Sequence, residues 1–375
     1  MKFRLRSLTI LLLIMLATAC ENSSAPAGLQ DEDPGDSIGG DSSAPTGLQD
    51  EDPGDSIGDD ANPALVAELP ISTRSFEMGT AGFIPRYYPN SSDDDWQHFF
   101  EYSAAAYGGI YGVHVNPGEK VNEEGILEQA QLAFEQVQDV EPYIAFSVNF
   151  EDGPFTHARG EELKRVAVAI AKKYQPTYIS LGVESNSFYL FQQDTFDLYV
   201  QYAREAYDEI KAVSPNTMVM NNFQLERMKG ETSLAGQDFE DNWHIISMFD
   251  GKIDLISFTV YPFLEFKTVD EIPDDYLAEI REHTSLPIMI TETGWPTQDI
   301  ASGVAGSDQD QIDYMMKLIQ QSDDIEVEVI IWVLPHDASF GVAGGIFDHI
   351  SLFDNEGNPK PGYEYWKAVN ALPLQ

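Results

Sequence analysis

A single cysteine, Cys20, is all the sequence offers to thiol chemistry, and one cysteine closes no internal disulfide. The fold is therefore not a disulfide scaffold. Positive charge is almost as scarce: 21 Lys and Arg stand against 63 Asp and Glu, a formal charge of −42. Such a surface repels phosphate backbones, so no nucleic-acid partner is expected. The seven histidines show no metal-ligand spacing, and the chain lacks an HExxH, a P-loop and a dinucleotide-binding glycine pattern. No metal or cofactor is expected on that count. "DNEGN", Asp354 to Asn358, lacks the ligand series of a calcium loop and reads as a turn.

The longest apolar run is N-terminal. Lys2, Arg4 and Arg6 precede "LTILLLIML", a stretch too short for a stop-transfer helix, which is the pattern of a targeting segment. It ends in "LATAC", which resembles the lipobox of bacterial lipoproteins. The resemblance implies a signal peptide over 1–19, lipid (palmitate included) on Cys20, and a membrane-anchored protein of the cell envelope, at the outer membrane or cell surface. An ordinary signal peptide that happens to contain a cysteine is the alternative.

A direct repeat follows. "SSAPAGLQDEDPGDSIGGD" (Ser23 to Asp41) recurs as "SSAPTGLQDEDPGDSIGDD" (Ser42 to Asp60). Two copies with almost no large apolar residues bury no core, and their Ser, Gly, Pro and Asp content is that of a self-repelling tether, assigned to 20–66. Residues 21–60 hold 12 of the acids and the leader three of the bases. The remainder keeps 51 acids against 18 bases, a charge of −33, so the acidity belongs to the folded part too. It suits a saline setting, where screening weakens self-repulsion. Residues 67–375 are enough for one α/β-barrel domain and are not divided further; a monomer is expected.

Along this domain an apolar run, a polar loop and an amphipathic segment repeat. Strands are predicted at Phe76–Ile84, Gly109–Val115, Tyr143–Phe150, Thr177–Val183, Thr217–Asn222, Ile253–Tyr261, Pro287–Thr293 and Val327–Leu334. Helices are predicted at about Asp94–Tyr107, Glu123–Val137, His157–Tyr174, Thr195–Val213, Phe239–Met248, Asp274–His283, Asp308–Gln321 and Tyr363–Val369. Eight alternations favour an α/β class (β/α)8 TIM barrel, with a doubly wound open sheet as the alternative. In a barrel, residues just past the C-terminal ends of the strands face the active-site mouth.

Reactive side chains stand at those ends. The fourth predicted strand, "TYISLGVESN", ends at Glu184, and the seventh, "LPIMITETGW", carries Glu292. The sixth, "IDLISFTVYPF", delivers Tyr261, and the eighth, "VEVIIWVLPHD", delivers Trp332, with His336 and Asp337 following it. Either glutamate alone is more often solvated surface than catalytic, and either aromatic alone is more often packing. Together they fit retaining glycoside hydrolysis, in which one carboxylate attacks the anomeric carbon and a second gives and then takes a proton.

The segments resemble the clan of retaining (β/α)8 glycosidases whose acid/base and nucleophile follow the fourth and seventh strands. "ITETGWPT" is similar to the nucleophile strand of glycoside hydrolase family 17, the β-1,3-glucanases. "VYPF" resembles the segment whose tyrosine bonds the nucleophile, and "SLFDNEGNPKPGYEYW" resembles a closing segment shared with endo-β-1,4-galactanases. The resemblance implies Glu292 as nucleophile, Glu184 as acid/base, Tyr261 as the nucleophile's partner, and Trp295 and Trp332 as ring faces for sugars. It implies an endo-acting hydrolase of a polysaccharide, β-1,3-glucan first and β-1,4-galactan or another β-glycan as the alternative. One departure is Val183, where many clan members place asparagine before the acid/base. Asn149, Asn186 or Asn222 are then expected to contact the sugar, and Glu151 and Glu226 are the reserve acids. The departure also motivates a reading of another class, a surface glycan-binding lipoprotein on a degenerate barrel; reducing-sugar release separates the two.

Overall fold

The computed structural model describes residues 69–148, 153–231, 240–338, 345 and 347–375. Cys20, the repeats, Asn149 and Glu151 lie outside the described residues. Among the described residues nine strands form one parallel sheet: β1 Glu77–Ala81, β2 Ile110–Val115, β3 Glu141–Phe146, β4 Tyr178–Ser180, β5 Met218–Met220, β6 Asn222–Gln224, β7 Ile256–Val260, β8 Ile288–Thr293 and β9 Val327–Val333. The ladder runs β5-β4-β3-β2-β1-β9-β8-β7-β6. Its two end strands are separated only by Asn221, so they are one barrel strand interrupted at a single residue. Asn222 N–H donates to the Gly182 carbonyl on one side and Asp254 N–H to the Val219 carbonyl on the other. The sheet is thereby closed, an eight-position (β/α)8 barrel rather than an open doubly wound sheet.

The predicted strands lie where expected but are shorter. Thr177–Val183 shrinks to three laddered residues, and Thr217–Asn222 becomes the interrupted β5/β6 pair. A purely parallel sheet is buried on both faces, and its strands read as apolar runs with weak alternation. β8, "IMITET", is buried at all six positions. Two apolar layers result. Ala81, Ile110, Tyr143, Ala145, Val183, Met220, Leu255, Met289, Val329 and Ile331 fill the barrel interior. A larger layer packs the outer strand faces against the helices.

The helices are α1 Asp93–His98, α2 Glu128–Gln136, α3 His157–Tyr174, α4 Ser185–Phe191, α5 Gln193–Val213, α6 Leu225–Lys229, α7 Ile280–His283, α8 Asp308–Asp324 and α9 Pro361–Asn370. Their starts follow from local chemistry. Ser92 and Asp95 form a reciprocal capping box at α1, Thr156 caps α3 and Ser307 caps α8. The predicted Asp94–Tyr107 helix is instead α1 followed by a wider turn and a short 3-10 turn. Trp243–Phe249 is 3-10 rather than α-helical, and the start of the predicted Phe239–Met248 helix lies outside the described residues. No apolar period in the sequence marks α4 or α6. Both follow strand ends on the functional face.

Candidate active site

The position of Glu292 depends on a defect in β8. Met289 points into the barrel, so strict alternation would turn Thr291 inward and Glu292 out toward the helices. The register prevents this. Phe258 of β7 pairs with Ile290, but the next residue, Thr259, pairs with Glu292. Thr291 is therefore an extra residue, a bulge of the kind that re-aims side chains at functional sites. Past it, Glu292 faces the mouth, and Thr293 turns outward to share a hydrogen bond with Tyr314 OH of α8.

Glu184 is delivered by another local exception. It follows β4 and precedes α4 with φ 48° and ψ 48°, the left-handed region. For a non-glycine residue that conformation costs about 1–2 kcal/mol and persists only when its surroundings enforce it. Here Glu184 N–H donates to Asn222 Oδ1 at 2.8 Å, and the Glu184 carbonyl accepts from Ser187 N–H at 2.8 Å. Gly182 lets this turn pack closely, because a Cβ there would overlap the Tyr199 hydroxyl.

Thr259 joins the two acids. It stands beside Glu292 in the ladder, and its hydroxyl donates to Glu184 Oε1 at 2.9 Å. Tyr261, two residues on and on the same face, donates its phenol to Glu292 Oε2 at 2.6 Å. The other oxygen, Glu292 Oε1, lies 3.1 Å from His114 Nε2. That nitrogen is buried and, among the described residues, is not aligned for a hydrogen bond to any group. Glu184 Oε2 faces Arg227 Nη1 at 3.5 Å.

Burial sets the electrostatics. It pushes the Glu292 carboxyl up to about 7, with the Tyr261 hydrogen bond opposing it. It raises Glu184 as well, against the Arg227 charge and the Thr259 hydroxyl, while the Glu292 charge adds to the rise. The same burial pushes His114 down to about 4, so it is a neutral imidazole at neutral pH. Burial and the adjacent Glu292 carboxylate raise the Tyr261 phenol well above its usual range, which keeps it a donor. Two carboxyls with separate partners can divide the roles of nucleophile and proton carrier.

The other expected residues fall elsewhere. Trp295 and Trp332 are fully buried and offer no ring face to a sugar. Trp332 lies on the outer side of β9 against Tyr314 and Trp366 and donates to the Ile350 carbonyl at 2.7 Å. Trp295 packs on Phe263 and Tyr314 and donates to the Ala305 carbonyl. The Asn222 amide is occupied by Glu184 N–H and by Thr291 Oγ1, so it braces the Glu184 turn against β8 rather than a sugar. Asn186 pairs both amide atoms with the Gln224 main chain. The reserve acid Glu226 is fully buried at the start of α6, where it accepts from Tyr261 N–H and Tyr276 OH. Val183 is a wall residue of the barrel interior. His336 bonds the Ile84 carbonyl and Asp337 pairs with Lys360, so both knit the rim.

His114, Thr259 and Arg227 belong to the site although no sequence motif singles them out. For His114 a signal existed: in "IYGVHV" it shares the parity of Ile110, an interior residue. Arg227 had none, because α6 is too short to show a helical period. Past the ends of β2 and β3 and against the start of α3, a groove of about 540 Å³ is lined by Asn116, Glu119, Ser147 and Arg159 among others.

No family model matches the sequence, and no curated protein matches it. Solved structures do match its fold. A family 39 glycoside hydrolase from Bacteroides cellulosilyticus WH2 aligns with a TM-score of 0.55 and 18% identity, over 80% of this chain and 64% of that one. The chain thus spans under two thirds of that enzyme's length. A family 17 β-1,3-glucanosyltransferase from Rhizomucor miehei aligns with a TM-score of 0.54 and 14% identity, over 76% and 95%. A fungal β-1,4-galactanase aligns with a TM-score of 0.51 and 15% identity, over 70% and 89%. The chain has the TIM-barrel fold of these glycoside hydrolases.

Proposed function

We propose that the protein is a retaining, endo-acting β-glycoside hydrolase of polysaccharides, anchored to the bacterial cell envelope by lipid on Cys20. The observation that carries this reading is the pair of buried carboxyls, Glu184 after β4 and Glu292 on β8, bridged by Thr259. Each has its own partners. In the first displacement Glu292 attacks the anomeric carbon while Glu184 protonates the leaving oxygen. In the second, Glu184 takes a proton from water as the water oxygen displaces Glu292. Tyr261 holds one oxygen of Glu292 so that the attacking geometry is set in advance.

β-1,3-Glucan is the leading substrate. "ETGWP" supports it, and so does likeness in fold to a family 17 glucanosyltransferase. β-1,4-Galactan is the alternative, supported by the closing segment and by likeness to a galactanase. The groove past the ends of β2 and β3 offers further sugar units of a polymer a place to lie.

Reducing-sugar release from laminarin, galactan and mannan tests the reading. Glu292→Gln and Glu184→Gln are each expected to abolish release, and full activity in Glu292→Gln overturns the mechanism. Azide separates the roles: a nucleophile variant yields the inverted glycosyl azide and an acid/base variant the retained one. Glycan binding without any release favours a binding protein instead.

A further inference from the structure

The two carboxyls are not equivalent in charge. Glu292 has a phenol and a neutral imidazole beside it. Glu184 has a guanidinium 3.5 Å from Oε2 and a hydroxyl 2.9 Å from Oε1. The groups facing Glu184 are Arg227 on α6, Glu292 on β8, His114 on β2, and Thr259 and Tyr261 at and just past the end of β7. Arg227 supplies their positive charge.

Arg227 is also firmly placed. Its side chain is 7% exposed, and its guanidinium donates to Ser187 Oγ and lies 5.7 Å from the Phe191 ring centre. Its N–H donates to Gln224 Oε1 at 2.6 Å, and its carbonyl accepts from Asn242 Nδ2 at 2.7 Å. A buried cation held this way does not drift from its partner as charge moves in the site.

We propose that Arg227 is a positioning residue that controls proton transfer by Glu184, stabilising the carboxylate that Glu184 becomes in the first displacement and from which it acts in the second. The proposal rests on the glycosidase reading above. In the first displacement the Glu184 proton passes to the glycosidic oxygen, which leaves with the electron pair of the broken C–O bond. Glu292 forms the new bond to carbon, and Glu184 becomes a carboxylate beside Arg227. In the second, that carboxylate takes a proton from water while the water oxygen bonds to carbon and the ester to Glu292 breaks. A cation beside Glu184 favours the first proton transfer and opposes the second. An opposite charge within about 4–6 Å lowers a carboxyl pKa by roughly 1–3 units, so Arg227 keeps the proton labile in a buried site.

The test is a pH titration of protein carrying 13C at the glutamate carboxyl carbon, with the Glu184 signal identified by its loss in Glu184→Gln. In Arg227→Met the signal is expected to titrate about one pH unit or more higher than in wild type, and in Arg227→Lys by less. The alkaline limb of kcat/KM is expected to move upward with it. The kcat/KM ratio of a 2,4-dinitrophenyl glycoside, which leaves without protonation, to a methyl glycoside is expected to rise about tenfold. If Arg227→Met does not fold, Arg227→Gln carries the same titration. An unmoved Glu184 signal, or an unmoved ratio with activity lost on both substrates alike, overturns the proposal. A wild type that hydrolyses no glycoside strikes at the functional reading instead, and the titration still decides the Arg227 pairing.

Discussion

Glu292 takes one hydrogen bond, from Tyr261, and otherwise depends on burial for its chemistry. In the proposed mechanism its working form is the carboxylate, which burial disfavours and the phenol favours. Wild-type kcat/KM is therefore expected to rise with pH through an acid limb near neutrality. Tyr261→Phe removes the stabilising donor, so that limb should move to higher pH. Loss of a hydrogen bond to a charged group should also lower the plateau by roughly 10- to 100-fold. A pH profile of the variant with an unmoved acid limb would remove Tyr261 from this role. Glu226 makes a separate prediction about stability. Burial pushes its carboxyl up to about 7, above the ordinary glutamate value of about 4.3 in an unfolded chain. The folded state holds the extra proton, so this contribution is full below the ordinary value and is lost as pH rises through about 7. Glu226→Gln does not titrate. Its Tm relative to wild type should be higher at pH 8 than at pH 5, and a difference independent of pH would contradict the assignment.

At the scale of the elements, the site depends on two departures from regularity that one side chain ties together. Asn222, at the start of β6, accepts from the strained Glu184 turn and donates to the bulge residue Thr291. Asn222→Ala and Thr291→Val should each lower stability by about 1–3 kcal/mol by leaving a buried polar group unpaired. Because they remove the same bridge, a double-mutant cycle should show coupling of about 1 kcal/mol or more. Additive losses in urea melts would mean that the bridge carries no energy. The sequence was informative at this scale only where elements were long. α3 was expected at the bounds it has, because 18 residues show a clear period. α4 and α6, with seven and five residues, fall below the length at which a period can be read. The bulge at Thr291 was equally invisible: "IMITET" places Glu292 on the outer parity of a regular strand. The motif singles out Glu292, but only the register explains why it faces the mouth.

For the whole molecule, alternation was enough to indicate the barrel, and the closing hydrogen bonds across β5/β6 distinguish it from an open sheet. What was not legible was which polar groups would be occupied internally. Asn186 and Asn222 looked available for sugar contacts because a sequence does not show the main-chain partners that engage them. Trp332 looked like a platform because parity at the end of β9 cannot be read before the bulge at its start is known. In β8/β9 the register steps from Ile288–Val327 to Met289–Val329. The charge imbalance makes its own prediction. The folded part carries −33, and raising salt from about 10 mM to about 1 M shortens the screening length from about 30 Å to about 3 Å. Tm in sodium chloride should rise over that range, and a flat or falling Tm would show that self-repulsion does not limit stability.

The most direct test of the central claim is peptide mass mapping after inactivation with activated 2-deoxy-2-fluoro β-glycosides, which trap the glycosyl-enzyme ester. The account predicts a single ester, on the peptide at Glu292, that turns over slowly. An ester at Glu184 would contradict it.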